Sequence, residues 1–183
     1  MSVTPEQAQQ VFDEADCLYD RDTVEAAIEK MADAITREMG LRNPLVLSVM
    51  SGAMIPAGIL LTHLKFPLHL DYIHATRYRG ETSGGELAWR VTPRYELEGR
   101  VVLIIDDILD EGLTLQAIIE SCRAQGATAV YSAVLVKKLH DRNVGVEADF
   151  VGLEVEDRYL FGYGMDYKEY WRNAPGIYAV KGM

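Results

Sequence analysis

The pattern of apolar and polar residues predicts strands that alternate with helices along most of the chain. Residues 101–105 are five apolar residues without alternation, mostly β-branched, which is typical of a strand buried on both faces of a parallel sheet. Helix-like runs lie at 56–64 and 115–123. Further strands are predicted at 45–50, 69–74, 87–91, 128–136 and 149–155. Strands that alternate with helices in this way predict an α/β fold built on a parallel sheet.

Two helices are predicted ahead of the first of these strands. Thr4 is the expected N-cap of the first helix, and Gln7 completes a capping box with it. Asp22 and Glu25 repeat that start signal, and the second helix is expected to end at Gly40. Its apolar face is formed by Val24, Ile28, Met31 and Ile35. We interpret both helices as structural.

Acidic residues follow the most apolar strand directly. Asp106 and Asp107 come first, and Asp110, Gly112 and Thr114 lead into the next helix. In α/β sheets, ligands bind at the carboxyl ends of strands, and a helix N-terminus attracts anions. Adjacent carboxylates repel each other, so the pattern favours a bound cation or a polyhydroxyl ligand. The alternative is that Asp110 only caps the helix and that the acidic pair is a solvated loop.

Composition and charge narrow the classes of function. The chain has 183 residues, enough for one domain, and its net charge of −10 argues against nucleic acid or an anionic membrane as a partner. Cys17 and Cys122 match no metal or redox spacing. The four histidines share no metal-ligand spacing either, and we interpret them as structural or exposed. Without a signal peptide or an apolar run that could span a bilayer, we expect a cytoplasmic protein.

The segment IIDDILDEGLTL resembles the phosphoribosyl diphosphate (PRPP) motif of the type I phosphoribosyltransferases. That motif is a hydrophobic strand, two acidic residues, two apolar residues and then Asp-Thr/Ser-Gly-x-Thr. Glu111 replaces the usual small hydroxyl residue, and Leu113 stands where many members carry a polar one. The resemblance implies a Rossmann-like parallel sheet with helices on both faces and a small hood. We expect one domain over 1–183, with a core at about 40–155. The hood is expected to consist of residues at about 156–180 together with the N-terminal helix.

The resemblance also implies roles for the residues of the motif. Asp106 and Asp107 would hold the ribose hydroxyls, directly or through Mg²⁺, and Asp110 would take a proton from the purine. The backbone of residues 110–114 and the Thr114 hydroxyl would bind the 5′-phosphate; this set is Asp110, Glu111, Gly112, Leu113 and Thr114. Ser51 and Gly52 would bind pyrophosphate through backbone N–H groups, although a plain strand-to-helix turn explains them equally well.

Later segments match the purine side of the family's site. Lys137 aligns with a lysine that donates to the O6 atom of the purine, although a lysine at a strand end is usually solvated. Tyr159 would stack on the purine, and Leu160 would meet its edge through the backbone. Asp166 would bind a metal, and Arg172 would reach pyrophosphate. Without the resemblance, the alternating aromatic residues Tyr159, Phe161 and Tyr163 would indicate core packing.

A polar, glycine-rich stretch at 75–85 predicts a loop. Arg77 and Tyr78 match the Ser-Tyr pair of the family's flexible loop, which closes over the active site. Such a lid excludes water, which would otherwise hydrolyse an activated sugar carbon.

Taken together, the resemblance is closest to the hypoxanthine-guanine enzymes of the family, which act in purine salvage. It implies transfer of the 5-phosphoribosyl group from PRPP to N9 of a 6-oxopurine, with release of pyrophosphate and with Mg²⁺ as cofactor. Because the family tends to form dimers or tetramers, we expect a homo-oligomer.

Three other functions share parts of this pattern. A uracil phosphoribosyltransferase that regulates transcription by binding RNA would need a basic face, which a protein of net charge −10 does not indicate. A receiver-type signalling domain would be shorter and would carry its acidic pair earlier. A non-catalytic PRPP sensor would lack the purine-binding residues of the hood.

Overall fold

The computed structural model describes residues 3–77 and 87–183. In chain order, the elements are α1 (Pro5–Glu14), β1 (Asp16–Asp20), α2 (Arg21–Met39), β2 (Leu45–Val49), α3 (Met54–His63), β3 (His69–Arg77), β4 (Leu87–Val91), β5 (Val101–Leu109), α4 (Leu113–Ala124), β6 (Ala129–Leu139), β7 (Phe150–Glu156), β8 (Leu160–Phe161) and β9 (Gly176–Ala179).

The larger sheet has six strands in the order β4-β3-β2-β5-β6-β7. All neighbouring strands pair in parallel except β4, which is antiparallel to β3. From β2 the chain crosses through α3 to β3, and from β5 it crosses in the opposite direction through α4 to β6. Because both crossovers are expected to be right-handed, α3 and α4 lie on opposite faces of the sheet. The predicted parallel sheet with helices on both faces is confirmed.

The two central strands form the middle of the hydrophobic core. Every residue of β2 is buried, and Val102, Leu103 and Ile104 of β5 are fully inaccessible to solvent. The predicted apolar face of α2 also packs into this core. The N-cap of this helix is Asp20 rather than the predicted Asp22, because the carboxylate of Asp20 accepts a hydrogen bond from the Thr23 N–H at 2.9 Å.

Strands β5 and β6 are longer than the sequence pattern predicted. Their parallel pairing continues through Asp106 opposite Val134 and ends with Leu109 opposite Lys137. The acidic pair is therefore part of a strand and not of the loop that follows it. The physical reason is that the neighbouring strand supplies backbone partners beyond the point where the apolar run stops.

A smaller antiparallel sheet is formed by β1, β9 and β8. We call this sheet, together with α1 and residues 157–175, the hood. Helix α1 packs on it, with the ring of Phe12 stacked on Trp171 at a centroid distance of 4.5 Å. Strand β1 had not been predicted, whereas the Thr4 capping box at the start of α1 is confirmed. The division of 1–183 into a core at 40–155 and a hood stays a prediction.

No helix within 3–77 and 87–183 combines the length and the apolar character that crossing a bilayer requires.

Candidate active site

The carboxyl ends of β2 and β5 lie side by side where the strand order of the sheet reverses. Ser48 of β2 is the register partner of Ile105, directly ahead of the acidic pair. Chains that leave two neighbouring strands in opposite directions open a crevice between them, and this is the usual ligand site of an open α/β sheet. Ser51 and Gly52 therefore border the same crevice as Asp106 and Asp107.

Two glycines allow three segments to meet at this crevice. A Cβ atom on Gly52 would lie 2.1 Å from Oδ2 of Asp107, and one on Gly164 would lie 1.9 Å from the carbonyl oxygen of Gly52. Only glycine fits at either position. Within the described part of the chain, the N–H groups of Ser51 and Gly52 donate to no protein group. They are available to an anion, as the pyrophosphate interpretation requires.

The acidic pair is electrostatically unfavourable when it stands alone. Asp106 is buried, and its Oδ1 accepts a hydrogen bond from the Asp107 N–H at 2.9 Å. Burial, together with the charge of Asp107, raises the pKa of Asp106 well above its ordinary value. Burial also raises the pKa of Asp107, although the hydrogen bond with Asp106 and the charge of Arg172 act against that rise. A cation bound beside the pair would relieve this repulsion.

The hood brings Arg172 and Asp166 to the same crevice. The Arg172 guanidinium lies 2.7 Å from Oδ1 of Asp166, and it donates to the carbonyl oxygen of Gly164 at 2.7 Å. Because its charge is also felt by Asp107, Arg172 lies between the hood and the end of β5. Arg172, the predicted pyrophosphate ligand, is thus paired with Asp166, whereas Asp106, Asp107 and Asp166 do not form a cluster of ligand atoms within 4.8 Å among the described residues.

The loop between β5 and α4 has the form of an anion cradle. Gly112 occupies the N-cap position with φ +84°, and no side chain caps the helix. The first N–H groups of α4, at Leu113 and Thr114, have no partner inside the helix and can bind a phosphate. The exposed Glu111 precedes them. The interpretation of Asp110 as a simple N-cap is wrong, since the cap is Gly112.

Asp110 instead contacts two side chains from the end of β6, the ammonium group of Lys138 and the imidazole ring of His140. Its Oδ2 lies 2.9 Å from Nζ of Lys138, and its Oδ1 lies 2.6 Å from Nε2 of His140. Partial burial acts to raise the pKa of Asp110, but the hydrogen bonds from Lys138 and His140 outweigh it, and the pKa is lowered. Asp110 therefore stays ionised, as a proton acceptor must be at neutral pH.

The two neighbouring lysines of β6 point in different directions. Lys137, the predicted purine ligand, forms a salt bridge with Glu147. Lys138 contacts Asp110 and also lies 3.5 Å from Asp157. Successive side chains of a strand point to opposite faces, so only one of the two can reach Asp110. The structure brings Lys138 there. Strand alternation predicts that only one of the two lysines faces Asp110, but it does not say which one.

The remaining predicted residues lie in or near the hood. Tyr159 is 38% exposed and meets Tyr167 edge to face at 5.6 Å. It lies two positions after Asp157, which is 3.5 Å from Lys138, and part of its ring is open to solvent. Leu160 is buried in β8 opposite Ala179.

The other predictions for aromatic and loop residues have mixed outcomes. Phe161 and Tyr163 are core residues, as packing alone would predict. Arg77 is the last residue of β3 and Tyr78 lies outside the described residues, so the role of this pair stays a prediction.

Comparison with known proteins decides the family. The model of the phosphoribosyl transferase domain matches residues 14–169. The chain belongs to the phosphoribosyltransferase family. It is 33% identical to the hypoxanthine-guanine phosphoribosyltransferase of Bacillus subtilis (strain 168), over 90% of this chain and 92% of that protein.

Two further relatives support the same family. The chain is 36% identical over 90% of its length to the bifunctional protein TilS/HprT of Listeria innocua serovar 6a, of which it spans only 26%. The structure of a hypoxanthine-guanine-xanthine phosphoribosyltransferase superimposes with a TM-score of 0.84 at 30% identity, covering 92% of this chain and 99% of that one.

The chemistry of the acidic side chains at this site suits a magnesium ion. Members of the family use Mg²⁺ together with PRPP. Asp106, Asp107 and Asp166 offer carboxylate oxygens, the ligands that Mg²⁺ prefers. The raised pKa values of the buried pair also indicate that a positive charge is needed beside it.

Proposed function

We propose that this chain is a cytoplasmic hypoxanthine-guanine phosphoribosyltransferase of purine salvage. It transfers the 5-phosphoribosyl group of PRPP to N9 of a 6-oxopurine, giving IMP from hypoxanthine or GMP from guanine, and releases pyrophosphate. The observation that carries the proposal is the pair of Asp110 and Lys138 beside an uncapped helix N-terminus. It places a proton acceptor and a cationic donor next to an anion cradle.

The geometry of the crevice supports an assignment of the PRPP half of the site. The N–H groups at the start of α4 and the Thr114 hydroxyl bind the 5′-phosphate. Asp106 and Asp107 hold the ribose hydroxyls, and the free N–H groups of residues 51–52 bind the pyrophosphate together with Arg172. Mg²⁺, held by Asp106, Asp107 and Asp166, would neutralise the diphosphate charge and stabilise the departing pyrophosphate.

The purine half uses Asp110, Lys138 and Tyr159. Tyr159 stacks on the base and the backbone of Leu160 meets its edge, while Lys138 donates to O6. We assign this contact to Lys138 rather than to Lys137, because Lys138 contacts Asp110 whereas Lys137 is paired with Glu147. An ammonium group has three donors, so Lys138 can hold both Asp110 and O6. A donor at this position favours a 6-oxo group over a 6-amino group.

The reaction needs positioning and charge stabilisation more than a nucleophile from the protein. The bond between the anomeric carbon and pyrophosphate breaks through a transition state that resembles an oxocarbenium ion, and the bond to N9 forms. The purine loses one proton, which Asp110 accepts. Its lowered pKa keeps the carboxylate ionised and ready for this step.

One incubation tests the proposal. The protein is mixed with PRPP, Mg²⁺ and one base at a time, and nucleotide products are separated by chromatography. We expect IMP from hypoxanthine and GMP from guanine, and no product from adenine or uracil. Product with uracil alone would identify the RNA-binding type of phosphoribosyltransferase instead, and binding of PRPP without any product would identify a sensor.

We further propose that the chain forms a homo-oligomer, a dimer or a tetramer, and binds neither nucleic acid nor membrane. Met54 of α3 and Leu70 and Tyr72 of β3 are exposed large apolar residues that line one cavity of about 520 Å³. Apolar patches of this kind mark association surfaces. Light scattering coupled to gel filtration measures the state, and a mass equal to one chain would contradict it.

A further inference from the structure

His140 is a buried side chain that the chemistry above does not use. Only 6% of its side chain is exposed, and its Nε2 lies 2.6 Å from Oδ1 of Asp110. The other carboxylate oxygen, Oδ2, faces Lys138 at 2.9 Å. Each oxygen of Asp110 therefore has its own partner, and the carboxylate cannot rotate without breaking one of the two contacts.

The second nitrogen of the ring settles which atom carries the proton. The backbone N–H of Arg142 donates to Nδ1 of His140 at 3.1 Å. A neutral imidazole has one donor and one acceptor, so an Nδ1 that accepts leaves the proton on Nε2. His140 then donates to Asp110.

The same group of residues could be mistaken for a metal site. Asp110, His140 and Asp157 place ligand atoms within 4.8 Å of one another. However, the Lys138 ammonium contacts both carboxylates, and the Arg142 guanidinium lies 2.7 Å from Asp157. A protonated Nε2 cannot be a metal ligand, and the two remaining carboxylates share the charge of Lys138.

We infer that His140 is a positioning residue for Asp110, holding its carboxylate through a neutral Nε2–H donor during purine deprotonation. This inference rests on the proposed function, in which Asp110 accepts the purine proton. The proton moves from the purine nitrogen to a carboxylate oxygen of Asp110, and His140 neither gains nor loses one. The charged groups that face this pair are Lys138 on β6, Arg142 in the following loop, Asp157 after β7 and, near Arg142, Glu111.

The consequence is a dependence of the pH profile on His140. Hydrogen bonds from Lys138 and His140 lower the pKa of Asp110. Removing one donor raises that pKa, so the carboxylate becomes protonated at a higher pH. The acid limb of the kcat profile should then move upward by about one pH unit, the size expected for a lost hydrogen bond to a charged group that is partly solvated.

Two variants with different chemistry test this. Glutamine can place an amide N–H near the position of Nε2, whereas leucine cannot donate. We expect His140→Leu to shift the acid limb upward. Because the carboxylate is no longer held in place, kcat at neutral pH should fall about tenfold, with little change in KM for PRPP. His140→Gln should stay within about threefold of the wild type. His63→Leu, on α3 and away from the crevice, serves as the matched control.

The outcomes separate the inference from the proposed function. An acid limb that does not move in His140→Leu overturns the positioning role, and so does a His140→Gln variant as impaired as His140→Leu. If the wild type makes no nucleotide, the proposed function fails, and NMR of the histidine ring nitrogens still tests the geometry. A proton on Nε2 alone supports it, and a proton on Nδ1 overturns it.

Discussion

At the scale of single residues, the buried acidic pair lowers the stability of the free protein at a place that is proposed to bind PRPP and Mg²⁺. A carboxyl group whose pKa is raised on folding adds stability only at low pH, and that stability is lost as the pH rises through the raised pKa. Burial and the neighbouring Asp107 raise the pKa of Asp106 in this way. The free protein should therefore lose stability from acidic to alkaline pH at this site.

Asp106→Asn tests how much the buried charge lowers the stability of the free protein. Asparagine keeps the oxygen that accepts the Asp107 N–H and removes the charge. We expect the Tm of the free protein to rise by about 2–4 °C per kcal/mol gained, with a larger gain at alkaline than at acidic pH. Affinity for Mg²⁺–PRPP should fall. Thermal melts across pH measure the first effect, and a lower Tm at alkaline pH would contradict it.

Asp110→Asn tests the proton acceptor. We expect kcat to fall by about 10²- to 10⁴-fold, the usual loss for a general base, with PRPP binding little changed. The amide also places an N–H group against Lys138 or His140, so a small loss of Tm is expected. Asp13→Asn, at an exposed position of α1, is the matched control. A kcat within about threefold of wild type would exclude the base role.

The two lysines of β6 can be distinguished directly. Lys138→Met removes the donor that faces Asp110, and we expect it to weaken purine binding by about 10- to 150-fold, equivalent to about 1.5–3 kcal/mol. Lys137→Met should change it by less than about threefold, because Lys137 is paired with Glu147. Steady-state kinetics with hypoxanthine measure both. The reverse order of effects would return the role to Lys137.

These cases show which part of the site the sequence could predict. The local pattern predicted that three acidic residues lie at the carboxyl end of β5, because they follow a strongly apolar run: Asp106, Asp107 and Asp110. The partners of Asp110 could not be predicted in this way, because Lys138 and His140 reach it only through the pairing of β5 with β6. A pattern along one strand does not say which of two adjacent lysines faces the neighbouring loop.

At the scale of elements, the ends of the strands were harder to predict than the presence of the strands. Strand β5 was recognised from residues 101–105, yet it continues to Leu109 because β6 pairs with it. Strand β1 was missed because residues 16–20 begin and end with aspartate, and its partner β9 lies more than one hundred positions away in the chain. Long-range pairing of this kind leaves little trace in local composition.

Helix α1 carries no motif, but its contacts support the residue that precedes Arg172. Nε1 of Trp171 donates to the carbonyl oxygen of Ala8 at 2.6 Å, and the Trp171 ring stacks on Phe12. Trp171 also has a φ of +66°, as strained as the neighbouring Glu169 at +74°. Such backbone persists only where surrounding contacts hold it. We interpret α1 as the support that keeps Arg172 in the crevice.

Trp171→Phe tests that support. Phenylalanine keeps the stacking on Phe12 and removes the hydrogen bond, so we expect a loss of about 1 kcal/mol in the free energy of unfolding. KM for PRPP should rise, because Arg172 is less well held. Trp89→Phe in β4, outside the hood, is the control for replacing a tryptophan. Unfolding in urea measures the stability, and an unchanged KM would show that α1 stabilises the hood alone.

At the scale of the whole molecule, the site is assembled where the strand order reverses. Residues 51–52 come from the end of β2, the acidic pair from β5, Lys138 from β6 and Arg172 from the hood. Gly52 and Gly164 let the first and last of these segments touch. The alternation of strands and helices predicted a parallel α/β sheet, but it did not predict the order of the strands in that sheet. The positions that require glycine became meaningful once the crossing of the segments was known.

The net charge of −10 makes Mg²⁺ decisive for the proposed reaction. PRPP is itself polyanionic, and the proposed metal ligands Asp106, Asp107 and Asp166 add further negative charge. Arg172 is already paired with Asp166, so the protein has little positive charge to spare there. We expect excess EDTA to abolish turnover and to weaken PRPP binding sharply, and added Mg²⁺ to restore both.

The binding readout is the rise in Tm that PRPP produces, which reports affinity without turnover. With Mg²⁺ present, PRPP should raise Tm in proportion to the logarithm of its concentration above Kd. Without Mg²⁺ the rise should vanish over the same range. Asp166→Asn should require more Mg²⁺ for the same effect, because one proposed carboxylate ligand is lost. Full activity in excess EDTA would mean that the protein's own cations neutralise PRPP. That result would contradict the assignment of the three carboxylates as metal ligands.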